Sequence, residues 1–193
     1  MRVWLKAVIA VAILIAGGVF YLGIRGIFTT TTTTTSFTAI ALLVSVTSLT
    51  YQMFHSSLVQ SADLLMRFEH DFFGSEKIAQ RSLAARNLLV TPDDFLEMED
   101  ILDFFETVAM FTRKRALDTY MVWHTFDYWI ERYYAVARPY IEERQRKDPG
   151  VWEDLVWLVA KVQKLQAKRQ NGKISVFTPE TLVAFLAEES AEV

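Results

Sequence analysis

Two apolar stretches stand one after the other at the start of this chain, and no acidic residue precedes Asp63. The first, Ala7 to Ile24, carries no charge and is edged by Lys6 and Arg25. The second, Phe37 to Phe54, lies within a span from Gly26 to Ala62 that lacks Asp, Glu, Lys and Arg. Each holds 18 residues, about the length a helix needs to cross roughly 30 Å of hydrocarbon at ~1.5 Å per residue. The pattern predicts an all-α protein: an N-terminal transmembrane helical hairpin followed by a cytoplasmic helical bundle. The expected divisions are 1–28 for the N-terminal tail and first span, 29–36 for a threonine-rich loop, 37–55 for the second span, 56–74 for a stalk helix and 75–193 for the bundle.

The flanking charges set the expected orientation. Arg2 and Lys6 precede the first span, while Arg67 and Lys77 follow the second, and the connection holds only Arg25 at its edge. Cations favour the cytoplasmic side, so both termini are expected inside a bacterial inner membrane with the connection outside. That connection is a run of seven threonines, Thr29 to Thr35, and β-branched residues favour extended chain. The basic start resembles a signal peptide, but the apolar run is long and no small-residue cleavage site follows it, which predicts a retained span.

Charge and composition narrow the partners. After Ala62 the chain carries 17 basic and 23 acidic residues, a balance unsuited to nucleic acid. Cysteine is absent, which removes disulfides, thiolate nucleophiles and cysteine metal sites. The three histidines, His55, His70 and His124, lack the Glu-x-x-His spacing of bundle metal sites, and no phosphate loop, dinucleotide turn or nucleophile elbow occurs. No cofactor is expected, and the chain does not read as an enzyme.

Within the second span, Thr38, Ala41, Ser45, Ser48 and Gln52 recur on one helix face. Ser45 and Ser48 then either pack against the small residues of the first span or line a pore made by several copies. Beyond it, Leu58, Ala62, Leu65 and Phe72 continue a helical pattern to Gly74. Ser75 is a candidate cap for a helix to about Leu89. Thr91-Pro92-Asp93-Asp94 and Asp148-Pro149 read as cap-plus-proline helix starts, and Thr178-Pro179-Glu180 repeats the signal. The second of these starts would open a helix running to Arg169 and stopped by Gly172. Between the first two starts, Met98, Ile101, Leu102, Phe105, Val108 and Ala109 mark one buried face. A helix from Asp118 carries Val122, Trp123, Phe126, Ile130, Tyr133, Ala137 and Ile141 on another, with Pro139 expected to kink or divide it. Ile174 to Phe177 is the one short strand candidate.

Interaction candidates follow from that layout. Glu106 sits among apolar neighbours and needs a partner, since an unpaired buried charge is costly. Arg138 on the neighbouring helix is the expected one, with Arg81 and Arg86 as competitors. Trp123, Trp129 and Tyr133 belong to the densest aromatic region, which either packs the core or forms a groove for a partner helix. Lys161, Lys164 and Lys168 share a helix face, either solvated or near anionic headgroups.

The run Ile101-Leu102-Asp103-Phe104-Phe105-Glu106 is followed by Val122-Trp123, Trp129-Ile130 and Tyr133, then by Arg138-Pro139-Tyr140-Ile141 and Arg144. Over roughly Phe37 to Leu165, these motifs resemble a bacterial family known only as a domain of unknown function. The resemblance implies a small protein with an N-terminal membrane segment and a helical cytoplasmic domain, and it brings no activity or cofactor. The first apolar stretch and the threonine run are additions to that pattern. The functional expectation is a membrane-anchored interaction or regulatory protein that self-associates and holds a protein partner at its bundle. A small oligomeric pore-forming effector is the alternative, and a carboxylate-based enzyme ranks behind both.

Overall fold

A computed structural model describes residues 30–169 and 176–191, together with Gly17, Gly18 and Tyr21. The side chains of residues 30–37, 39, 40 and 54 lie outside that description. Six helices follow one another among the described residues, with no strand: α1 (Thr30–Phe72), α2 (Ser75–Val90), α3 (Leu96–Arg113), α4 (Thr119–Lys147), α5 (Glu153–Arg169) and α6 (Pro179–Ser190). The chain divides into two compact units, 1–58 and 59–193, with α1 contributing to each. The boundary falls four residues before Asp63, close to where charge first enters the chain.

The first unit holds most of the charge-free stretch. Leu42, Val44, Val46, Leu49 and Met53 are all exposed, and Ser45, Thr47 and Thr50 donate their hydroxyls to the carbonyls of Ala41, Leu43 and Val46 at 2.7–2.8 Å. The helix begins at Thr30, so the threonine run expected as a loop is helical over Thr30–Thr35. Threonine's helix penalty is below about 0.7 kcal/mol per residue, small enough for a long continuing helix to absorb. Among the described residues, no helix is long and apolar enough to cross a membrane. The first expected span, apart from Gly17, Gly18 and Tyr21, lies outside the described residues.

The second unit is the bundle, and α3 is its centre. Met98, Ile101, Leu102, Phe105, Val108 and Ala109 are fully buried along one face, as their spacing predicts. The end of α1, within the segment expected as a stalk helix, is part of this core: Leu65 and Phe72 are buried, and Ser61 Oγ accepts the Asp118 amide at 2.9 Å. Phe72 is ringed by Phe104, Phe105, Phe126 and Trp129 at centroid distances of 5.3–5.5 Å. Gly74 follows in the tight turn that ends α1, where a Cβ would meet the carbonyls of His70 and Asp71 at 3.1–3.2 Å.

The predicted α4 face is buried in full, and Asp118 caps it by accepting the amides of Tyr120 and Met121. Pro139 does not divide the helix, which runs unbroken from Thr119 to Lys147. Ala137 and Ile141 are buried on either side of it and hold both halves to one core. The three cap-plus-proline signals split. Thr178-Pro179 opens α6, with Thr178 accepting the Thr181 amide at 3.4 Å. Thr91 and Asp148 instead close the helices before them, and the prolines form turns, so α3 and α5 begin at Leu96 and Glu153. A residue before proline is driven to extended backbone, and both Thr91 and Asp148 adopt it. Ser75 is likewise inside α2, whose cap position is Gly74. Gly172 lies outside the described residues, as do residues 174 and 175 of the strand candidate, while Val176 and Phe177 form no strand.

Two turns use left-handed backbone at residues other than glycine. Arg115, at φ 62°, closes α3, and its neighbours Ala116 and Leu117 donate back to the Phe111 carbonyl. Trp152, at φ 52°, precedes α5 and is held by an indole bond to Asp103 Oδ1 at 2.8 Å. A bulky residue in this region is strained, by about 1–3 kcal/mol, and the buried indole is what fixes it.

Candidate functional site

The densest polar arrangement in the bundle gathers around Glu189 on α6. Four residues of this helix share one face: Leu182, Phe185, Leu186 and Glu189. Phe185 and Leu186 are buried, and Glu189 is 2% exposed. On α2 the same logic brings Arg81 inward, because it keeps register with Ala84, Ala85 and Leu88. Arg81 is 1% exposed, and its guanidinium lies 4.4 Å from the centre of the Phe72 ring.

Donors from two helices converge on the one carboxylate. Arg81 NH1 reaches both Glu189 oxygens, at 3.3 and 3.1 Å. From α4, Trp129 Nε1 donates to Oε1 at 3.2 Å, and the Tyr133 hydroxyl donates to Oε2. The end of α6 is held as well. Ser82 Oγ and the Nε and Nη2 of Arg86 donate to the Ser190 carbonyl at 3.0–3.2 Å. Such cations suit a helix C-terminus, where the carbonyls lack helical partners. At the rim, Tyr128 donates to Glu188 Oε2 at 2.7 Å while Arg132 stacks on its ring at 3.6 Å. Burial, then Glu188, raises the Tyr128 phenol above its usual range.

A buried ion pair of this kind is costly to form and more costly to break. Desolvation offsets much of its attraction, but removing one partner strands the other in apolar surroundings. The Phe185 ring packs edge-on against Tyr133 at 5.0 Å and near Tyr128 at 5.9 Å, so water is excluded on that side. The chemistry is recognition: a carboxylate held by a guanidinium, a phenol and an indole, with both oxygens engaged.

Glu106 and Arg138 are not a pair. Glu106 accepts the Asp154 and Leu155 amides at 3.2 and 2.7 Å, which makes it the cap of α5. Two free amides at a helix start attract a carboxylate as well as a cation does, and they are nearer. Burial raises the Glu106 pKa above the usual value, against the lowering effect of those two amides. Beside it, Arg113 binds Asp154 at 2.6 Å and Glu153 at 2.8 Å. Arg138 is exposed and pairs with Glu142 at 2.8 Å on its own helix.

The remaining sequence candidates separate. Trp129 and Tyr133 join at Glu189. Trp123 is buried elsewhere on α4, with Arg169 over its ring at 4.8 Å and its indole nitrogen without a hydrogen-bond partner among the described residues. His124 is exposed and stacks on Tyr120 at 6.3 Å. Ser45 and Ser48 belong to the first unit, where Ser45 bonds to Ala41 and Ser48 accepts from Gln52 at 3.4 Å. One turn beyond Asp127, Glu131 is 4% exposed and hydrogen-bonded to Gln166 of α5, and burial raises its pKa. Glu189 itself was not singled out by sequence reasoning, and Arg81 entered only as a competitor for Glu106. The available signal was a charge standing in an apolar helical register, at Arg81 and again at Glu189.

Among the described residues, no group of three or more His, Cys, Asp and Glu side chains could hold a metal ion. Fold and site together define an all-α bundle closed by a terminal helix through a buried ionic latch. The chain belongs to the family described as Domain of unknown function (DUF4760), which matches residues 35–162. No curated protein and no solved structure matches it. The matched segment includes Arg81, Trp129 and Tyr133 and stops before α6.

Proposed function

We propose that the chain is a membrane-anchored helical protein with an interaction or regulatory role and no catalytic one. In this reading Ala7–Ile24 and Phe37–Phe54 cross a bacterial inner membrane, and both termini face the cytoplasm. The bundle then acts as a tethered body that meets protein partners, further copies of itself among them.

The middle of α1 is the observation that carries this reading. Leu42, Val46, Leu49 and Met53 are 58–74% exposed on a segment without one charged residue. Apolar surface in water costs roughly 25 cal/mol per Å², a cost that hydrocarbon removes. Hydroxyls in hydrocarbon must find internal partners, and Ser45, Thr47 and Thr50 have them on their own helix. Ser45, one of the two residues a pore would expose, thus has its partner within the helix and needs no water-filled channel.

The test is extraction and labelling. The protein is expected to stay with membranes through alkaline carbonate and to leave them only in detergent. Because the native chain has no cysteine, single replacements report topology cleanly. Thr33→Cys is expected to react with an impermeant maleimide on whole cells, and Glu180→Cys only after lysis. Recovery of the intact chain in the aqueous fraction would overturn the proposal.

A further inference from the structure

The contacts of α6 are those of a ligand seated in a receptor. The receiving face is built by α2 and α4, both within the family-matched segment, and α6 lies beyond it. A helix of twelve residues is too short to persist alone in water, so α6 owes its form to the face it rests on. Its hold is concentrated on one stripe: Phe185 and Leu186 supply apolar anchors, Glu189 supplies the charge, and the Ser190 carbonyl fills the donors of Ser82 and Arg86. The opposite side of the helix looks outward, with Val183 54% exposed.

We propose that the α2–α4 face is a receptor groove for an acidic amphipathic helix, and that its occupant in trans is α6 of a second copy of this chain. Charge and shape both select that occupant. Arg81, with the Trp129 indole and the Tyr133 phenol, presents one cation and two donors to a single carboxylate, a set that an acidic side chain complements. The carboxylate must stand three and four residues after a pair of apolar anchors, the spacing of Phe185, Leu186 and Glu189. A second copy carries this helix by identity, so the face that closes one chain also joins two. This deepens the interaction reading above and does not depend on the membrane anchor.

Complementation in the full-length chain tests it. Glu189→Gln leaves the groove intact and spoils the ligand; Arg81→Met spoils the groove and leaves the ligand intact. Mixed in detergent, the two are expected to form a one-to-one heterodimer by native mass spectrometry, which neither forms alone. A mixture that shows only the species of its separate components would overturn the exchange. Hydrogen exchange on the unaltered chain decides the matter even where a variant does not fold. The α6 amides are expected to exchange at least tenfold faster than those of α3, because the groove opens without the core. Exchange of α6 at the α3 rate would make it an inseparable part of the core and sink the proposal. Failure of carbonate extraction would count against the anchor alone.

Discussion

A carboxylate helps to fasten each of two helices to this bundle, and the two fastenings differ in kind. At the start of α5, Glu106 meets backbone amides, those of Asp154 and Leu155. At the end of α6, Glu189 meets side chains: Arg81, Trp129 and Tyr133. Amides at a helix start exist whatever the sequence, so the first fastening needs one residue in the right place. The second needs four residues from three helices, and it encloses a charge pair. The first lies wholly within the family-matched segment, and the second reaches out of it. The comparison separates what builds the bundle from what closes it.

The largest effect is expected at the closing end. Glu189→Gln removes the charge that balances buried Arg81, at a cost of about 3–5 kcal/mol in unfolding experiments. A loss near that of an exposed pair would place Arg81 in water and dissolve the contrast. Glu106→Ala is expected to cost about 1–2 kcal/mol, the range of a lost helix cap. Its damage should fall on α5, read as faster exchange of the Asp154 and Leu155 amides with α6 unaffected. Equal losses at both sites would erase the distinction between them.

Glu131 sharpens the comparison with a third environment, a buried carboxylate bonded to the neutral Gln166. Burial raises its folded pKa above the ordinary 4.5, so the folded chain binds that proton more tightly than the unfolded one. Its contribution is therefore complete below about pH 4.5 and falls as pH rises through the folded value. Glu106, also raised, acts in the same direction. Glu131→Gln is expected to flatten the dependence of Tm on pH above 4.5 and to raise Tm at pH 7. An unchanged slope would show that Glu131 ionises as freely as in the unfolded chain.

The buried faces were legible because period and apolarity coincide. Every residue predicted inward on α4, from Val122 to Ile141, is buried. The helix starts were less so, since Thr-Pro and Asp-Pro suit a turn as well as a first helical turn. Thr91 and Asp148 end helices, each in the extended backbone that a following proline imposes. The Glu106 reading found a residue that needs a partner and chose the wrong kind, because backbone donors leave no mark on a sequence. The Glu189 site was hidden for a different reason. Its members stand at positions 81, 129, 133 and 189; Trp129 and Tyr133 are one helical turn apart, but no local pattern joins them to Arg81 or Glu189.

A double-mutant cycle on Arg81 and Glu189 tests the ionic latch most directly. Arg81→Met and Glu189→Met are each expected to lose about 3–5 kcal/mol, while the double replacement recovers most of it, because no charge is left stranded. Losses that simply add would mean that the two residues act independently, and the closing of the bundle by a buried ion pair would be refuted.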